Sequence, residues 1–419
     1  MNRHRVYASV LAGLTVLCGG LHAAGCGGGG GGGGGGVVGG TTTGTLPGDE
    51  PYVLLDVRTG QPGPTFSMPQ DGKPVVYGFP AVAGRTYTIN IDTQPSGVQL
   101  DTTLGFLRAS GNASNPASGT TPFQRVVSPT EDMTVLVVLI DQARAGLTVT
   151  ASVTATPLES NTSSFTAVVH FAGDSYAGYG SFNDLATTPD KQAFALDLVA
   201  GINGYLASSG VQISQTAVRS ISNATVQATQ PQLVSGGRTI INGADPAASA
   251  ASWGTLGMPG TDPQFGLALD IFVVHSTVNG NAAGQAAVRR GIQGGIFRGN
   301  GDAHAVVLSL FDATGVPQSA AITRYVGAHE IGHFLSLAHT TDSTLAFDPI
   351  LDTPHAARSA YDLNGNNVFD AAEITNSANH PDFSNLLYPY LPPTGNVTAG
   401  TVSAAQGRAM QAYLAIREH

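Results

Sequence analysis

Apolar and polar positions alternate along this chain in three distinct ways. Residues 6–21 form an apolar run behind the basic start Asn2-Arg3-His4-Arg5, too short and too broken by glycine to span a membrane. From 51 to about 157 the period is two. Tyr87-Thr88-Ile89-Asn90-Ile91, residues 134–140 and residues 147–153 are short alternating runs separated by Gly, Pro, Asn and Asp. That period puts every second side chain on one face, so this stretch predicts an all-β sandwich. From 165 onward strands predicted at 165–171, 211–222, 267–275 and 303–311 alternate with helices, one at 189–207, one carrying His329 and a closing one over 401–416. Such alternation predicts a twisted, mostly parallel sheet with helices packed on it. The expected fold class is multidomain, an all-β sandwich followed by an α/β domain.

Composition then narrows the setting. A net charge of −10 with only 11% charged residues leaves no basic patch to neutralise phosphates, which argues against a nucleic-acid partner. Residues 1–25 read as an export signal ending in the small residues Ala23-Ala24-Gly25. With Cys26 next, Leu21-His22-Ala23-Ala24-Gly25-Cys26 resembles a bacterial lipoprotein signal, which implies a lipid on Cys26; plain secretion is the alternative. Gly27 after Cys26, where Asp would retain a lipoprotein at the inner membrane, points by the same analogy to the outer membrane or cell surface. Residues 26–48, dominated by the glycine run 27–36, cannot bury enough apolar surface to fold and read as a tether. Cys18 leaves with the signal, so the mature chain has no intramolecular disulfide, and a large core and bound calcium are the expected substitutes. The remainder divides into 49–157 and 163–419. Ala83-Gly84-Arg85-Thr86-Tyr87-Thr88-Ile89 followed by Asp101-Thr102-Thr103-Leu104 resembles the bacterial pre-peptidase β-sandwich module.

The candidate chemistry sits at 325–339, Y-V-G-A-H-E-I-G-H-F-L-S-L-A-H. His329 and His333, four residues apart, share one face of a helix and can offer two imidazole nitrogens to one cation. His339 adds a third once the helix ends and the chain turns near Ser336. Three nitrogens with an open fourth position describe a catalytic zinc site, and Glu330, beside the first ligand, is placed to act as general base on a zinc-bound water. With 11 histidines in the chain, random placement would produce this constellation only about once in ten thousand such chains. His170, His275 and His304 lack ligand spacing and read as buried or capping residues.

H-E-I-G-H-F-L-S-L-A-H resembles the extended zinc signature of the metzincin metallopeptidases, with Ser336 where that family carries Gly. The resemblance implies a zinc endopeptidase with a five-stranded sheet, acting on a protein or peptide substrate. It also implies that the strand before the zinc helix is the substrate-pairing edge, with Val306, Leu308 and Leu310 along it. Asp348, Leu351 and Thr353, in Phe347-Asp348-Pro349-Ile350-Leu351-Asp352-Thr353-Pro354, match a calcium loop of pappalysin-type metzincins, although the cysteines common after the zinc helix in that group are missing. Asn385-Leu386-Leu387-Tyr388-Pro389-Tyr390 occupies the place of the family's methionine turn, with Leu387 at the Met position and Tyr388 and Tyr390 as candidate substrate contacts. Ser403 to Met410 is similar to the terminal Gln-x-x-Arg-Met stretch of pappalysin relatives. Independently of the family, residues 362–373 have EF-hand spacing for calcium: Asp362, Asn364, Asn366, the Val368 carbonyl, Asp370 and Glu373, with Asn367 replacing the usual glycine. A monomeric peptidase is expected. An adhesin with a structural or degenerate metal site is the alternative.

Overall fold

The computed structural model describes residues between 53 and 417; outside the description lie 1–52, 257–267, 287–304, 342–352, 374–379, 392–399 and shorter intervals. The export signal, Cys26, His304, Ser336, Asp348, Leu351 and Asp370 therefore fall outside the described residues. Among the described residues no helix is long and apolar enough to cross a membrane.

The first body is built from β1 (Val53–Leu54), β2 (Phe66–Ser67), β3 (Val75–Ala81), β4 (Thr86–Gln94), β5 (Gln99–Arg108), β6 (Ala113–Thr120), β7 (Phe123–Val127), β8 (Met133–Ile140) and β9 (Thr148–Thr156). One sheet runs β1-β3-β8-β5-β6 and the other β2-β9-β4-β7. Along β4 and β9 burial alternates residue by residue, so Tyr87, Ile89 and Ile91 meet Val149, Ala151 and Val153 in one apolar core. The Tyr77 hydroxyl, buried in that core, donates to Val149 O at 3.1 Å and ties the two sheets together. This is the sandwich that the period of two predicts.

The second body is organised on a seven-stranded sheet: β10 (Ser164–Ala172), β11 (Gln212–Ile221), β12 (Val234–Ser235), β13 (Arg238–Asn242), β14 (Ala268–Val278), β15 (Gly284–Ala286) and β16 (Ala305–Phe311). The strands β11, β10, β14 and β16 lie side by side in that order and run parallel, and β15 pairs antiparallel with β16. The hairpin β12–β13 extends the sheet beyond five strands by pairing with the far end of β14. Helices α1 (Thr188–Leu206), α2 (Asn223–Thr229), α3 (Pro246–Gly254) and α4 (Ala320–Phe334) cover it. Phe194, Ile202, Ala328 and Ile331, from α1 and α4, pack with Val169, Ile271 and Leu308 on one face. Val226 and Trp253, from α2 and α3, pack with Phe272 and Val307 on the other.

The substrate-pairing edge expected at Val306, Leu308 and Leu310 is corrected by this topology. The strand β16 is bonded to β14 on one side and, over 306–308, to β15 on the other, and all three side chains are fully buried in the core. Among the described residues the edge position belongs to β15. That strand holds only Gly284-Gln285-Ala286, without the β-branched or aromatic residues by which strands are recognised in a sequence.

His170 and His275 are buried, as their spacing suggests. His170 Nε2 meets Asp270 Oδ1 at 2.7 Å between β10 and β14. The His275 ring stacks 4.4 Å from Phe311 on one side and 6.2 Å from Tyr176 on the other. Burial, helped by the positive charge of Arg238, lowers its pKa to about 4. The unfolded ring takes up a proton near pH 6.5 and the native one only near 4, so unfolding binds a proton inside that window and stability falls as the pH drops through it. Thermal unfolding of metal-free protein at pH 7 and pH 4.5 should show a smaller acid loss in His275→Phe than in the parent; equal losses refute the assignment.

Candidate metal centre

Helix α4 delivers the first two histidines. It begins at Ser319, whose hydroxyl caps the Ile322 N–H, and is held on α1 by Arg324, one terminal nitrogen of which donates to both carboxylate oxygens of Asp197 at 2.5 Å. Gly327 lets the helix lie close to its neighbours, since a Cβ there would stand 2.8 Å from Ile202 Cδ1. The helix closes where the Leu335 N–H bonds Ile331 O and the Leu337 N–H bonds Gly332 O. The chain then returns, and the Thr340 N–H bonds Leu387 O at 3.0 Å. This brings His339 back over the helix end, so the three histidines predicted to converge do so.

Their geometry restricts their chemistry. His329 Nδ1 faces Leu386 O at 2.6 Å and His333 Nδ1 faces Leu337 O at 2.7 Å. A carbonyl only accepts, so each Nδ1 carries the hydrogen, and in the neutral ring the Nε2 is left with a bare lone pair. The Nε2 atoms of His329, His333 and His339 lie 3.0, 3.1 and 3.3 Å from one another. Burial lowers the pKa of His329 to about 3 and of His333 to about 4, and holds His339 well below the usual value; mutual repulsion adds to the effect at His329 and His339. Near neutral pH the first two rings therefore point lone pairs at each other at hydrogen-bond distance with no hydrogen between them, an arrangement that a cation satisfies. The group is thus able to bind a metal ion.

Glu330 is fully buried beside this group. A Cβ on Gly284 of the edge strand would lie 3.1 Å from Glu330 Cγ and 2.5 Å from Val326 Cγ1, so β15 passes directly over the helix at that glutamate, and glycine is what permits the approach. The floor of the centre is the turn around 385–390. Leu387 is fully buried and a Cβ on Gly332 would stand 3.0 Å from its Cδ2, so the Leu387 side chain packs against the helix between the histidines.

The hydroxyls of Tyr388 and Tyr390, the two expected substrate contacts, have partners within the protein. Tyr388 is buried with its hydroxyl 2.8 Å from His380 Nδ1, and the Tyr390 hydroxyl donates to Phe369 O at 2.7 Å. Both rings pack with Phe369 in a small aromatic core, so they hold the turn in place. Thr353 is buried, while its two predicted calcium-ligand partners lie outside the described residues.

The described part of 362–373 folds as its spacing predicts. The Asn367 N–H bonds Asp362 Oδ2, the Asn366 N–H bonds Asn364 Oδ1 and the Val368 N–H bonds Asn366 Oδ1, at 2.8–3.0 Å. Asn367 takes the left-handed backbone, φ 60°, that glycine usually supplies there. Glu373 is 1% exposed, and its Oε1 accepts from the Leu363 N–H at 3.0 Å. Among the described residues Asp362 Oδ1, sealed from solvent, has no hydrogen-bond partner, which suits an atom that faces a cation.

The pattern of spacing leaves unannounced a buried carboxylate, Asp382. It accepts from the Tyr361 hydroxyl at 2.8 Å and from the Thr341 hydroxyl at 2.9 Å. These partners lie 21 and 41 residues away in sequence, and no local signal marks the contact.

No family model matches the chain, and no curated protein matches it. Among solved structures, a chaperone–substrate complex aligns at 10% identity with a TM-score of 0.30 over 70% of this chain, which spans 39% of that one. A glycosylation-associated protein complex from Streptococcus agalactiae aligns at 11% identity and TM-score 0.16, over 52% of this chain and 74% of that one. A family two carbohydrate esterase from Cellvibrio japonicus aligns at 12% identity and TM-score 0.16, over 71% and 88%.

Proposed function

We propose that the chain is a zinc-dependent endopeptidase of metzincin type, nearest the pappalysin group, exported and held at the outer membrane or cell surface through a lipid on Cys26. The observation that carries this reading is the convergence of three imidazole nitrogens, two of them on the helix that also bears the buried Glu330. Zinc–nitrogen bonds of about 2.0–2.1 Å in a tetrahedron set the nitrogens roughly 3.3 Å apart, close to the separations found here. Carbonyl bonds to two of the rings fix their tautomer and orientation, as metal-bound histidines require. An all-oxygen donor set at 362–373, with the sealed Asp362 Oδ1, suits calcium rather than zinc.

When bound, zinc supplies a Lewis acid and lowers the pKa of its water. His329, His333 and His339 would hold it. The carboxylate of Glu330 takes the proton of the attacking water and delivers it to the leaving amine nitrogen. The outer edge of β15 offers backbone groups to an extended peptide, which binds by adding a strand and so presents a carbonyl over the histidines.

Elemental analysis joined to a cleavage assay tests this. Purified protein should carry about one zinc per chain and cleave an unfolded protein such as reduced casein. Cleavage should stop with phenanthroline and return with added zinc. Zinc-loaded protein that leaves every unfolded substrate intact would instead favour a tethered binding protein.

A further inference from the structure

The outer face of the sheet β2-β9-β4-β7 in the first body carries a cleft of about 540 Å3, a volume ordinary for a small-ligand site. Strand register sets its floor. Asn90 of β4 stands opposite Gln124 of β7 on one side and Ser152 of β9 on the other. Side chains alternate along a strand, so these three point away from the core that holds Ile89, Ile91 and Val153. Gln124 Nε2 donates to Asn90 Oδ1 at 2.7 Å, and Asn90 Nδ2 donates to Ser152 Oγ at 3.4 Å. This row of bonds fixes how both amides are turned. It uses one hydrogen of each amide, so among the described residues each keeps a second N–H to offer, Gln124 keeps its carbonyl oxygen and Ser152 its hydroxyl hydrogen. Asp92, two positions along β4, is the one charged residue among those that line the cleft. Pro62, Pro122 and Phe123 add apolar surface, and the Phe123 ring is seated on Gly119, where a Cβ would stand 2.6 Å from its Cγ.

We propose that this cleft binds a neutral polysaccharide. Sugar hydroxyls both donate and accept, so they match a row of amide N–H groups, an amide oxygen and a hydroxyl, while the C–H faces of sugar rings suit the phenyl ring and the prolines. Charge selects against an acidic polymer. The lining holds a carboxylate and no cation, and the chain carries a net charge of −10, so an acidic polysaccharide meets repulsion and gains no ion pair. An extended peptide gains most by pairing its backbone with a sheet edge, whereas these groups stand on the face of strands already paired with one another. Ser152, Asn90 and Gln124 lie on three adjacent strands, a row roughly 10 Å long that takes more than one sugar ring. Binding there holds the chain at a polysaccharide surface, and it stands apart from the three histidines and from any cleavage they support.

Affinity electrophoresis of the full-length chain tests this, in native gels cast with xylan, glucomannan, barley β-glucan or dextran. At least one of these polymers should slow the chain, with a retardation that rises with polymer concentration and persists in the presence of a chelator. Gln124→Ala should weaken the association roughly threefold to tenfold, and Asn90→Ala combined with Gln124→Ala by more than about tenfold, as loss of one and then of several hydrogen bonds requires. Thr150→Tyr fills the cleft from the neighbouring strand with a residue that β-strands accommodate, and it should abolish the retardation. These side chains lie outside the core, so the unfolding midpoint should stay at the parental value in each variant. No retardation by any of the four polymers, retardation that both the double variant and Thr150→Tyr retain, or retention only in gels of polygalacturonate or gelatin overturns the assignment. Polysaccharide binding by a chain that cleaves no substrate counts against the peptidase reading alone.

Discussion

Replacing Glu330 by alanine is expected to lower kcat/KM for an unfolded protein substrate by about a hundred- to ten-thousandfold, the usual contribution of a positioned general base. Metal content should stay at the parental level, because the three ligand nitrogens and the carbonyls that orient His329 and His333 do not involve this side chain. The fold should survive as well. Glu330 is fully buried, and exchanging a buried carboxylate for a methyl group relieves desolvation even though it leaves a small cavity. The measurement is a progress curve on casein at matched zinc occupancy, with the unfolding midpoint recorded alongside. Cleavage at the parental rate in a zinc-loaded Glu330→Ala protein would remove this residue from the chemistry. Glu330→Gln sharpens the comparison, since it keeps the shape and loses only the ability to accept a proton.

Replacing His333 by alanine is expected to weaken zinc by roughly a hundred- to a thousandfold, the share of one ligand in a total of about 10–16 kcal/mol for four. His333 stands at the centre of the group: its Nε2 is 3.0 Å from that of His329 and 3.1 Å from that of His339, and its Nδ1 braces Leu337 O, where the chain leaves the helix. Removing it takes away one ligand and a tie on the segment leading to His339, so the loss should exceed that from cutting a carbonyl bond to a retained ligand, which costs about ten- to a hundredfold. Competition with a chelator of known affinity measures it. Zinc held as tightly by the variant as by the parent would mean that these imidazoles do not form the site.

Some of this molecule is readable from local pattern and some is not, and the division follows the range of the interactions. A period of two marks strands such as β4 and β9, and alternation of strand and helix marks the parallel sheet, because both patterns express burial of one face over a few consecutive residues. The pairing of His329 with His333 is equally local, since one helical turn separates them. The oxygen spacing of 362–373 and the left-handed Asn367 belong to the same class. By contrast, Gly284-Gln285-Ala286 is a strand only because β16 offers it a partner, and this left Val306, Leu308 and Leu310 to be mistaken for the edge. The inward turn of Tyr388 and Tyr390 depends on Phe369 and His380 arriving from elsewhere in the chain.

By itself the amino-acid order determined the alternating strands of the sandwich, the main strands and helices that follow it, the histidine helix with its neighbouring carboxylate, and the candidate ligands of the second loop. Only the tertiary structure decided which strand forms the border of the sheet, that His339 swings back over the end of α4, and that Asp382 bridges Thr341 and Tyr361. The physical reason is separation along the chain. Contacts within one or two turns are dictated by backbone periodicity, whereas contacts between segments tens of residues apart exist only once the core has closed around them.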